Sequence, residues 1–90
     1  MKKVVINGSE IASEQQLHKF IAENLELPEW YGGNFDALFD CLTDITDEVE
    51  IAIAGSDDLI DKLGERALIF LTVLRDASAE SSNIKITVEN

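Results

Sequence analysis

The hydrophobic positions of this chain change their spacing several times, and each change marks an element. Lys2 to Ile6 carries the β-branched run Val4-Val5-Ile6 and stops at Asn7-Gly8, a turn signal, so it predicts a strand. Leu17, Phe20, Ile21 and Leu25 then recur at helical spacing and form one apolar stripe. Ser13, with Gln16 three residues on, is a capping box that satisfies two free backbone N–H groups at the start of that helix. Pro28 closes the region, because the residue before a proline avoids the helical basin. Gly32-Gly33 supplies a bend and Asn34 an N-cap, so a second helix is expected to run to about Thr43. Glu50 to Ala54 reads as a second strand. Ser56 or Asp57 caps a short helix that Gly64 ends. Glu65 to Glu80 predicts a longer helix, made the most buried one by Ala67, Leu68, Phe70, Leu71 and Leu74. Ile84, Ile86 and Val88 alternate with Lys85, Thr87 and Glu89 in a half-exposed third strand.

The resulting order is β-α-α-β-α-α-β, and 90 residues leave room for one domain, 1–90. Helices between successive strands imply parallel pairing, since a parallel crossover takes roughly a dozen residues or more. The fold class is therefore α/β. Val4-Val5-Ile6 and Ile51 to Ala54 are apolar on both faces and are expected to lie deeper. The alternating third strand suits an edge.

Charge narrows the list of partners. Eighteen acids against seven bases give a net charge of −11, which repels nucleic acid and anionic lipid and attracts basic surfaces. Residues 20–61 hold twelve of the acids and no Lys or Arg. An acidic face of this kind disfavours self-association, so a monomer is expected. The single cysteine, Cys41, allows no disulfide within the chain, so folding needs no oxidising compartment. Val4-Val5-Ile6 after Met1-Lys2-Lys3 is too short for the apolar core of a signal peptide. The longest apolar-rich run, Ala67 to Leu74, cannot span a bilayer. The expectation is a soluble, cytoplasmic protein.

Within the acidic stretch, Trp30-Tyr31 precede the glycine bend and Asp36, Asp40 and Asp44 follow at every fourth residue. Like charges at that spacing cost a helix roughly 0.2–0.5 kcal/mol per pair. Asp36 sits near the favourable N-terminal end. Asp40 and Asp44 approach the C-terminal end, where an acid is disfavoured by roughly 0.3–1 kcal/mol. The row is either an ordinary solvated face or a surface waiting for a cationic partner. Trp and Tyr in a surface loop favour the second reading, because such rings are enriched in the cores of protein interfaces. One ring of the pair is expected in the core and the other in solvent.

Enzymatic chemistry has little support. His18, the only histidine, reads as a surface or packing residue, and Cys41 as inert core. There is no phosphate loop and no His/Cys set with zinc spacing, so no cofactor or metal is expected. Asp44, Asp47 and Glu48 offer at most weak divalent-metal binding, since their spacing is not that of an EF-hand loop. An acidic module that mimics nucleic acid toward another basic partner shares the electrostatics but does not require the aromatic loop.

The segment Trp30-Tyr31-Gly32-x-Asn34-x-Asp36-Ala37-Leu38-x-Asp40-Cys41-Leu42-Thr43 resembles the signature of the barstar family, intracellular inhibitors of a secreted ribonuclease. The resemblance extends to Lys3-Val4-Val5-Ile6-Asn7-Gly8, Leu17-His18, Leu27-Pro28-Glu29 and Val73-x-Arg75-Asp76-Ala77-x-Ala79-Glu80, and fades over about residues 45–65. It implies a three-stranded parallel β-sheet packed with four helices, in keeping with the order above. It also implies a small basic ribonuclease as partner, blocked by a loop and helix whose carboxylates stand where RNA phosphates would sit. By that resemblance Asp40 faces the enzyme's Arg and His residues and Asp36 pairs with a flanking base. Trp30 stacks on the catalytic histidine where the family usually has a tyrosine, and Gly32 and Asn34 make backbone contacts. Asp76 replaces a usual glutamate, Phe39 a usual tryptophan, and Asp44-Ile45 a usual Gly-Trp pair. The centre of the surface is kept and its rim is altered, which bears on which ribonuclease is bound.

Overall fold

A computed structural model describes residues 2–89. Its strands are β1 (Lys2–Asn7), β2 (Val49–Ala54) and β3 (Ile84–Val88), and its helices α1 (Glu14–Leu25), α2 (Phe35–Thr43), α3 (Ser56–Leu63) and α4 (Glu65–Glu80). Short 3-10 turns occupy Gly8–Glu10 and Glu29–Tyr31. The order is β-α-α-β-α-α-β, as the spacing predicts, and all three strands form one parallel sheet in the order β1-β2-β3.

The register aligns Val4 with Ile51 and Ile86, and Ile6 with Ile53 and Val88. This face, with Val49 and Ile84, joins a core filled by Leu17, Ile21 and Leu25 of α1, Phe35, Leu38 and Leu42 of α2, Leu59 of α3, and Phe70 and Leu74 of α4. The opposite face carries Lys3, Val5, Ala52, Lys85 and Thr87, and Val5 is 52% exposed. The helices therefore cover one side of the sheet. That corrects the expectation for β1: β2 is central and deeper, but β1 is not. β1 is an edge strand, and its run of β-branched residues reflects the pleated backbone they suit rather than double burial. Leu68 is a second correction. It is 51% exposed, while Ala67, Phe70, Leu74 and Ala77 form the inward stripe of α4.

Local signals set the boundaries. Ser13 Oγ accepts from Gln16 N–H at 3.1 Å, but the return bond of the capping box goes to Ala12 N–H (2.8 Å) instead of to Ser13. Glu26 ends α1 in the left-handed region, at φ 54°. Gly55, rather than Ser56 or Asp57, is the residue preceding α3. Its carbonyl passes so close to Gly8 that a Cβ there would lie 2.1 Å from the Gly55 oxygen. This approach ties the end of β1 to the end of β2.

Candidate partner-binding surface

Three local devices build the surface around Trp30 and α2. The turn Glu29–Tyr31 is closed by Tyr31 N–H donating to the Pro28 carbonyl at 3.0 Å. It turns the two neighbouring rings apart, leaving Tyr31 buried and Trp30 58% exposed. Gly32 and Gly33 follow at φ 68° and 72°, the left-handed region where a side chain is strained. They reverse the chain so that Asn34 meets the start of α2. Asn34 Oδ1 accepts from Ala37 N–H at 2.8 Å and caps the helix.

The pattern of α2 then divides its faces. Phe35, Leu38, Cys41 and Leu42 are buried, while Asp36 and Asp40 are exposed and Phe39 is half-buried between them. Asp44, also exposed, is the C-cap, and its N–H reaches the Asp40 carbonyl at 3.2 Å. With a rise of about 1.5 Å per residue, Asp36 to Asp44 covers about 12 Å of helix. Thr43 turns its hydroxyl back onto the Phe39 and Asp40 carbonyls, at 3.0 and 3.2 Å. Trp30, Asp44 and Ile45 border one shallow hollow with Leu27, Pro28 and Cys41, so the aromatic turn and the far end of α2 meet. Asp76 is exposed on α4, the helix packed against α2. It does not border that hollow.

No ion pair among the described residues neutralises these acids. The ion pairs among the described residues both involve Glu14, with Arg66 and with His18, and none reaches Asp36, Asp40, Asp44 or Asp76. Asp44, Asp47 and Glu48 do not converge. Among the described residues no three His, Cys, Asp or Glu side chains form a set that would hold a metal ion. Cys41 is 3% exposed, and burial pushes its thiol above the ordinary value, with Asp44 and Asp40 adding to the effect. It is a packing residue without thiolate character. Among the described residues no helix is long and apolar enough to cross a membrane.

A polar cluster behind the loop escapes the sequence-based reading. His18 is 5% exposed and its Nδ1 is hydrogen-bonded to the Tyr31 hydroxyl. Its Nε2 faces Glu14 Oε2 at 3.2 Å. Glu14 in turn takes a two-pronged bond from Arg66, at 2.6 and 3.0 Å. The Arg66 guanidinium lies 5.0 Å from the Phe35 ring centre and the His18 ring 4.7 Å from it. Hydrogen bonding from Arg66 is the main cause that lowers the Glu14 carboxyl to about 2. Burial drives the Tyr31 phenol well above its ordinary range, so it stays protonated. Glu14 and His18 stand one helical turn apart, which is the sequence signal for the first link. Nothing in the sequence signals the links to Tyr31 and Arg66, which come from other elements.

The whole chain matches known sequences. The family profile described as Barstar (barnase inhibitor) matches residues 1–89. A protein of Bacillus subtilis (strain 168) named "Putative ribonuclease inhibitor YrdF" is 32% identical over 91 residues, covering 99% of this chain and 100% of that protein.

Proposed function

The chain belongs to the barstar family, and from that membership we propose that it is an intracellular, cytoplasmic inhibitor of a small basic ribonuclease of the barnase type. It acts as a single domain and a monomer and performs no chemistry of its own. The exposed row Asp36–Asp40–Asp44, reached by no ion pair among the described residues and bordered by an exposed Trp30, is the observation that carries the reading. A helix face that repels itself becomes favourable when a partner brings the missing positive charge.

In the proposed complex the loop and α2 plug the enzyme's catalytic groove. Asp40 sits at the centre of the phosphate site, among the enzyme's Arg and His side chains. Asp36 pairs with a flanking base, and Trp30 stacks on the catalytic histidine. Gly32 and Asn34 place the backbone against the enzyme. Phe39 and Asp44 form the altered rim, and Asp76 adds a contact from α4. Inhibition is then occlusion, with carboxylates standing in for RNA phosphates. An acidic mimic relying on charge alone would not need Trp30, and this difference separates the two readings.

The test is a titration of the protein against a panel of small secreted ribonucleases, with residual RNA cleavage as readout. Stoichiometric loss of cleavage with at least one member is expected, and Trp30→Ala should relieve it. If no member of the panel is inhibited, the proposal fails. If inhibition persists undiminished in Trp30→Ala, the mechanism is charge mimicry alone.

A further inference from the structure

The geometry behind the loop points to a second layer in this surface, and we propose that His18 is a positioning residue for it. In this proposal, the imidazole holds the Tyr31 hydroxyl inward so that Trp30 and Gly32 are presented outward to the ribonuclease. The inference rests on the function proposed above for its binding consequences, but its effect on the loop is readable without any partner.

Tyr31 is buried, and its hydroxyl finds its hydrogen-bond partner in His18 Nδ1. On the other side of the ring, Nε2 meets Glu14 Oε2 at 3.2 Å. Glu14 is in turn held by Arg66 from α4. One line of contacts thus runs from α4 through α1 to the turn that carries Trp30. Around the buried Tyr31 ring the turn is open, since Glu29, Trp30, Gly32 and Gly33 are all exposed. A groove between α1 and the loop, lined by Gln15, His18, Lys19, Tyr31, Gly32 and Gly33, borders this side. The His18 bond therefore adds a directional constraint to the packing of the Tyr31 ring.

Trp30 is the only tryptophan, so its fluorescence reports on the loop directly. Acrylamide quenching, the inhibition constant and the urea midpoint are measured for wild type, His18→Gln, Tyr31→Phe and the double variant. Tyr31→Phe keeps the ring in the core and removes only the hydroxyl, so it retains the fold if His18→Gln does not. Each single variant is expected to raise the accessibility of Trp30 and weaken inhibition by roughly tenfold, in line with the loss of one buried hydrogen bond. The double variant should be no worse than either single one, because both remove the same bond. Lower urea midpoints with unchanged Trp30 quenching would mean a purely stabilising role and would overturn the proposal. If the wild type inhibits no ribonuclease, the functional reading fails, while the quenching results still decide the role of His18.

Discussion

Asp40 stands in solvent between two other acids, and no ion pair among the described residues reaches it. In the proposed complex it would be enclosed with several bases. Asp40→Ala should therefore weaken binding by about 3–5 kcal/mol, because removing one member of a buried pair leaves the other charged and unmatched. Calorimetry giving an unchanged dissociation constant would reject that role. Gly8 makes a different residue-scale prediction. A methyl group there meets the Gly55 carbonyl, so Gly8→Ala should lower stability by about 1–3 kcal/mol, read from the urea midpoint. At this scale the sequence was legible for capping side chains and glycines, whose effect is local. It was misleading at Val5 and Leu68, because an apolar side chain does not say which way its element faces.

At the scale of elements, α2 is built against its own stability. Its last turn ends on Asp44, at the negative end of the helix dipole where a positive charge belongs. Asp44→Lys should raise the urea midpoint by about 0.3–1 kcal/mol equivalent while weakening ribonuclease binding. A variant that gains in both would show that the acid serves no partner. The junction of α1 with α4 depends on pH. The Glu14 carboxyl is lowered from 4.5 to about 2 chiefly by its bond to Arg66, so its stabilising contribution is complete above pH 4.5 and is lost as pH falls toward 2. The gap in urea midpoint between wild type and Glu14→Gln should be full at pH 7 and close by pH 2. It should amount to about 1 kcal/mol or less, since the pair is partly solvated. Element boundaries were largely readable, because stripes and caps lie within a few residues of each other. The Arg66–Glu14–His18–Tyr31 chain was readable only at its Glu14–His18 link, since Arg66 and Tyr31 come from two other elements.

For the whole molecule, the surplus of negative charge predicts kinetics. Raising ionic strength should slow association with the ribonuclease far more than it speeds dissociation, because salt screens the long-range field and not the enclosed contacts. Stopped-flow rates that ignore salt would remove steering from the account. The α/β order and parallel pairing were legible at this scale, because strands separated by helices have few ways to join. The bare side of the sheet was not, since Ala52 and Ala54 look as buried in sequence as their neighbours.

That bare side has a practical use. Lys3 and Lys85 flank a flat, small-residue area on the side of the sheet away from α2, so an amine-reactive dye, a bead or a fused module attached there would leave the acidic helix unobstructed. The molecule has, in effect, a working end and a handle.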